Sequence, residues 1–117
     1  MTLDHLREHC LSFKGSIEKL PFDENTLVFK VLGEMFALCN MMTFEFCNLK
    51  CDPEKAITLR EKYSEVTPAW HMNKKHWNSV SFIGDLNDHQ IEQWVEDSYN
   101  LVVNNMPKKL QLELAKF

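Results

Sequence analysis

The sequence predicts an α+β fold: a two-layer domain with an antiparallel sheet and helices on one face, in the order α-β-β-β-α-β-β-α plus a short C-terminal helix. Three observations carry this. In "TLVFKVLGEMFALCNM", Leu27, Phe29 and Val31 alternate with Val28 and Lys30, and Leu32-Gly33 turns the chain into a return run from Glu34 to Cys39, which is a hairpin pattern. In "CDPEKAITLREKY", Asp52 is placed as an N-cap, Pro53 suits the first helical position, and Glu54 favours the positive end of the helix dipole. Residues 88 to 105 line up Ile91, Trp94, Val95, Ser98, Leu101 and Val102 on one side of a longer helix. Strands joined by short turns are antiparallel, and helices with one apolar stripe must cover one sheet face. A chain of 117 residues supports one core, so a single domain over residues 1–117 is expected.

The remaining elements follow in order. Residues 2 to 12 predict the first helix, with Leu3, Leu6 and Cys10 in helical register, Thr2 as cap and Lys14-Gly15 as the stop. A short strand near Ile17 to Leu20 fits before Pro21. "TFEFCNL", residues 43 to 49, alternates Phe44 and Phe46 with Glu45, Cys47 and Leu49 as a strand. Ala56, Leu59 and Tyr63 form the buried stripe of the second helix. "EVTPAW" is extended, because Pro68 moves Thr67 away from helix. "WNSVSFIG" puts Val80 and Phe82 on one face and Ser79 and Ser81 on the other, ending at Gly84. Pro107 breaks the third helix, and "KKLQLELAKF" has the propensity for a short terminal helix.

Composition narrows the functional classes. With 44% apolar and 26% charged residues, the chain has the make-up of an ordinary globular protein. "MTLDHLREHC" lacks the apolar core of a signal peptide, and no apolar run is long enough to cross a bilayer. The expected compartment is the cytoplasm, with no membrane partner. Cys10, Cys39, Cys47 and Cys51 are then expected as reduced thiols, Cys39 and Cys47 among strand-like apolar residues. A net charge of −4 opposes tight non-specific nucleic-acid binding by the surface as a whole.

Catalytic and metal motifs are weak. "HLREH", residues 5 to 9, matches H-x-x-E-H, and His5 and His9 sit one turn apart with Glu8 between them. A catalytic zinc also needs a third protein ligand from another element, and the sequence identifies none. Cys47 and Cys51 lack a second ligand pair, and no glycine-rich loop cradles a phosphate. No catalytic residue, metal or cofactor is expected.

The informative stretch is "PAWHMNKKHWNSV", residues 68 to 80. It gathers Trp70, His71, Asn73, Lys74, Lys75, His76 and Trp77 without one acid. In the simplest account Trp77 and Val80 are core, and the polar residues are a solvated connection. In the functional account the segment is a contact surface: lysines supply point charges, asparagine bonds in both directions, and tryptophan offers a stacking or cation–π face. That combination suits a phosphate-bearing ligand or an acidic partner.

"LVFKVLGEMFAL", "LKCDPEKAITLREKYSEVTPAWHMNKKHWNSV" and "SYNLVV" resemble the signature segments of the MmcQ/YjbR family over nearly the whole chain. The resemblance implies a "double-wing" DNA-binding-like, frataxin-like α+β fold. A similar order of elements occurs in type III secretion chaperones. The family's basic and aromatic positions fall on Lys50, Arg60, Tyr63, His71, Asn73, Lys74, His76 and Trp77. Lys14-Gly15 stands where the family commonly has Pro-Gly, and Asn87 where it often has Pro. The implied function is weak, salt-sensitive DNA binding by the surface around residues 70–77, without enzymatic activity. An adaptor for an acidic protein is the alternative, and a small-ligand pocket around His71 and Trp77 the third.

Overall fold

Where the hydrophobic period is two the chain pairs, and where it is 3.6 the chain coils. The computed structural model, which describes residues 1–117, converts this into six strands and four helices. In chain order these are α1 (Leu3–Leu11), β1 (Ser16–Lys19), β2 (Thr26–Val31), β3 (Glu34–Asn40), β4 (Phe46–Lys50), α2 (Pro53–Lys62), β5 (Val66–Pro68), β6 (Trp77–Ser81), α3 (Asp88–Asn104) and α4 (Lys108–Leu114). All six strands form one sheet in the order β1-β2-β3-β4-β6-β5, and every neighbouring pair is antiparallel. The helices pack on this sheet, so the α+β class stands. No helix is long and apolar enough to cross a membrane.

Local chemistry accounts for the boundaries. Thr2 caps α1 by accepting from the His5 amide at 3.1 Å, and Asn87 caps α3 by accepting from the Gln90 amide at 2.8 Å. Asp52 holds the cap position of α2, but its side chain makes no capping bond. The segment near residue 17 is a true edge strand, which makes six strands. β4 starts at Phe46, not at Thr43. The Asn40 side chain accepts from the amides of Met42 and Thr43, and this turn bends the chain away before it re-enters the sheet. Phe44 therefore leaves the strand and stacks on Phe82, ring centroids 4.4 Å apart.

A bulge between Phe29 and Lys30 on β2 and their β3 partners leaves Phe36 unpaired in register. Its carbonyl is answered from the helical layer. The buried Ser98 hydroxyl on α3 donates to the Phe36 carbonyl at 2.5 Å and accepts from the Lys50 amide at 2.9 Å. The polar member of the α3 stripe thus sews the bulge to the end of β4. On the same helix Tyr99 is buried and Leu101 only partly so, which corrects the expected stripe. Tyr99 stacks on Phe13 at 4.8 Å and meets Phe36 edge-on at 5.3 Å, a niche created by the turn after α1.

The two faces of the sheet are unequal. Nineteen buried residues, including Leu27, Phe29, Cys47, Leu49, Val80 and the α3 stripe, form the core under the helices. On the outer face only Val28, Leu38, Ala69 and Trp77 make a buried cluster, with Met35 and Met72 against it. The outer face is otherwise open.

Cys39 and Cys47 face each other across β3 and β4, yet all four cysteines are free thiols. Burial pushes the Cys39 thiol up to about 11 and raises Cys10 and Cys47 as well, so none of the three is a poised nucleophile. Thiol titration of protein denatured without reductant should find four thiols per chain. A count of two would mean that one disulfide is present and would overturn the expectation of reduced thiols.

Candidate functional site

The segment after β5 is shaped by one asparagine. The Asn73 carbonyl accepts from the amides of His76 and Trp77 at 3.1 and 2.9 Å, and its side-chain oxygen accepts from the Lys75 amide at 3.0 Å. These bonds close a turn that projects Lys74 and Lys75 into solvent. Trp70 is 70% exposed, and the Lys74 ammonium lies over its ring at 5.1 Å, a surface cation–π pair. Met72 folds inward and, with Ala69, covers Trp77 on the outer face.

The expected site residues divide into two groups. His71, Asn73, Lys74 and Lys75 are exposed on the loop, His76 is half-buried, and half-buried Lys50 is the cross-strand partner of Trp77. The others are occupied elsewhere. Trp77 is only 7% exposed, so its ring packs against the sheet and is not a stacking face for a ligand. Arg60 points from α2 into the backbone. Its Nε donates to the Asn78 side chain at 2.6 Å, and its Nη2 donates to the carbonyls of Lys74 and of Trp77. Tyr63 meets Trp94 edge-on at 5.0 Å in the helical layer. Arg60 and Tyr63 therefore hold the loop and core together on the other side of the sheet.

Register places further groups on the outer face, because directly opposed residues share a face. Lys19 opposes Val28, Lys30 opposes Met35, and Lys50 opposes Trp77. No strand position directed outward carries Asp or Glu. Nine of the 17 carboxylates lie on helices, two on α1, two on α2, four on α3 and one on α4, together with six of the 13 Lys and Arg; α3 carries acids and no Lys or Arg.

The same face carries a groove of about 600 Å³ between the β1–β2 connection and the 69–76 loop. Met35 and Leu38 contribute to its apolar lining, Phe22 and Phe46 are its aromatic members, and Asn48, His71 and Asn73 are polar members. Phe22 is 65% and Phe46 40% exposed. These aromatics were not among the expected site residues. The one available hint was the alternation that set Phe46 opposite Cys47 and Leu49. Asp23 also borders the groove, but its carboxylate accepts from the amides of Asn25 and Thr26, which hold it below the usual range.

The "HLREH" histidines acquire a neighbour that sequence alone did not reveal. Glu92 of α3 brings one carboxylate oxygen to 3.3 Å from His5 Nε2 and the other to 3.5 Å from His9 Nδ1. His9 Nε2 is meanwhile engaged at 3.0 Å with the Glu92 carbonyl. No three His, Cys, Asp or Glu side chains are arranged to hold a metal ion. The cluster ties α1 to α3.

Comparison with known proteins agrees with this architecture. A family model described as YjbR matches residues 11–101. The chain is 34% identical over 110 residues to protein YjbR of Escherichia coli K12, covering 93% of each chain. It is 37% identical over 92 residues to protein YbdF of Escherichia coli O157:H7, covering 78% of this chain and 75% of the relative. A crystal structure of Deinococcus radiodurans protein DR2400, with family-model domain DUF419, superposes with a TM-score of 0.90 at 36% identity, over 97% of this chain and 88% of the other. A Pseudomonas syringae crystal structure gives 0.72 at 26% identity, over 86% and 98%. Six antiparallel strands under four helices, and a family match that runs from the end of α1 into α3, make one assignment: the chain belongs to the YjbR family.

Proposed function

We propose that the protein is a cytoplasmic, non-enzymatic DNA-binding module that uses the open sheet face and the 70–77 loop. One observation carries the reading: every charged side chain at an outward strand position is a lysine, and the adjoining loop adds Lys74 and Lys75. A polyanion approaching this face meets Lys19, Lys30 and Lys50, with Lys74 and Lys75 on the adjoining loop, while the largest group of carboxylates, four, lies on α3 in the helical layer. Local complementarity of this kind steers a charged partner despite an unfavourable total charge.

The test is fluorescence anisotropy of labelled DNA across a salt series. Non-specific binding is expected with a dissociation constant of about 10⁻⁴–10⁻⁶ M at physiological salt, weakening as salt rises because each phosphate contact releases counterions. The Lys74→Ala/Lys75→Ala double variant should flatten the log–log slope by about two units. Its stability should change by no more than ~0.5 kcal/mol per site, since both side chains are exposed. If no DNA binds at low salt, or if the variant keeps the wild-type slope, the reading falls. An adaptor for an acidic protein would then lead, favoured by Phe22 and Met42, which are 65% and 76% exposed.

A further inference from the structure

Resting on the DNA reading, we propose that the outer-face groove takes an unpaired base of single-stranded DNA, stacked on Phe46. Three features point to this occupant. The first is charge: the outward strand charges on this sheet face are all lysines, whereas the groove itself is lined by no Lys or Arg and by one carboxylate, Asp23, so phosphates belong outside it and an uncharged base inside. The second is the exposed ring. Phe46 opposes Ser81 on β6, a small polar neighbour that leaves the phenyl group 40% exposed beside the groove. An aromatic face on a sheet suits bases that are not already stacked on their own neighbours. The bases of a duplex are stacked within the helix and cannot offer that contact.

The third feature is polar capacity. The Asn48 side-chain oxygen accepts from the Ser79 hydroxyl at 2.5 Å, and its amide nitrogen donates only to the Met72 sulfur at 3.5 Å. Asn73 uses its side-chain oxygen in the loop turn, which leaves its amide nitrogen to donate elsewhere. His71 is exposed beside it. These groups can meet the edge of a base whose ring lies on Phe46. The volume of about 600 Å³ falls within the ~300–1,000 Å³ typical of small-molecule sites.

The test compares wild type, Phe46→Ala, Phe46→Leu and the Lys74→Ala/Lys75→Ala double variant by anisotropy. The probes are a labelled thymidine oligonucleotide, its duplex with an adenine strand, and a uridine oligoribonucleotide. Thermal melting of each protein checks that it is folded. Wild type should bind the thymidine strand at least about fivefold more tightly than the duplex, by one stacked base. Phe46→Ala should weaken single-strand binding by about 5- to 150-fold and leave duplex binding unchanged. Phe46→Leu keeps an apolar side chain and should lose nearly as much, since leucine has no π face. Lysine replacement should weaken both DNA probes. Should Phe46→Leu bind the single strand like wild type while the lysine effect persists, stacking is wrong and the DNA reading survives. Tighter binding of the uridine strand overturns DNA as the occupant. No binding of any probe overturns both proposals.

Discussion

Trp77→Ala is expected to lower folding stability by about 3 kcal/mol, at the low end of the ~3–5 kcal/mol range for deleting a buried large aromatic. The indole is only 7% exposed and is the largest member of the outer cluster, packed with Val28, Leu38, Ala69, Met35 and Met72. Its backbone also closes the loop: the Trp77 amide donates to the Asn73 carbonyl, and the Trp77 carbonyl accepts from the Ala69 amide at 3.2 Å. The low end applies because the cluster is small and lies under a loop that can partly collapse into the space. Domains of this kind are stable by ~5–15 kcal/mol in all. A loss of this size should lower the melting temperature by about 10–15 °C for a chain of this length. Trp77→Phe should recover more than half of the loss. A circular-dichroism melt of Trp77→Ala that coincides with wild type would place the indole outside the outer cluster.

How far the fold could be read in advance depended on how strongly each segment repeats. The β2–β3 hairpin and α3 were legible because alternation and a helical stripe run unbroken across them. The edge strand β1 has only one apolar residue in "SIEK", and its burial alternates between intermediate and exposed. Pairing with β2 defines it, and that contact is not local. Leu101 and Tyr99 both occupy permissible helical positions. Tyr99 is buried because Phe13 arrives from the turn after α1. The bulge at Phe36 has no local signature either, since it depends on the Ser98 hydroxyl reaching across from another layer.

The candidate site divides along the same line. The acid-free loop is contiguous in sequence, and its exposed lysines could be identified directly. The lysine-bearing outer face could not, because Lys19, Lys30 and Lys50 come together only through strand register. The groove likewise joins Phe22 and Phe46 from separate connections and strands to the loop. The sequence allows Trp77 as core or as a contact, and its burial decides for the core. A guanidinium's sequence neighbours do not tell whether it will face a phosphate or a row of carbonyls. Arg60 faces carbonyls.

Arg60→Ala should therefore act on the fold, at about 2 kcal/mol, within the ~1.5–3 kcal/mol associated with hydrogen bonds to a charged group. Three acceptors receive bonds from this guanidinium, of which the Trp77 carbonyl also has the Ala69 amide. One is the side-chain oxygen of Asn78, a residue only 2% exposed, and the others are the Lys74 and Trp77 carbonyls. Without Arg60 the buried Asn78 keeps only a 3.4 Å bond from its amide nitrogen to the Ala56 carbonyl, and its oxygen loses its donor. Arg60→Lys should recover part of the loss, because an ammonium cannot span the acceptors as the planar fork does. The variant also separates two kinds of cation in the proposed DNA site. Releasing the Lys74 carbonyl loosens the loop, so DNA affinity should fall along with the melting temperature. The salt slope should stay unchanged, since no phosphate contact is removed. Lys74→Ala/Lys75→Ala should do the reverse, flattening the slope on a protein that melts normally. An Arg60→Ala protein that melts like wild type but binds with a shallower slope would assign this guanidinium to the phosphates and overturn its role as the loop clamp.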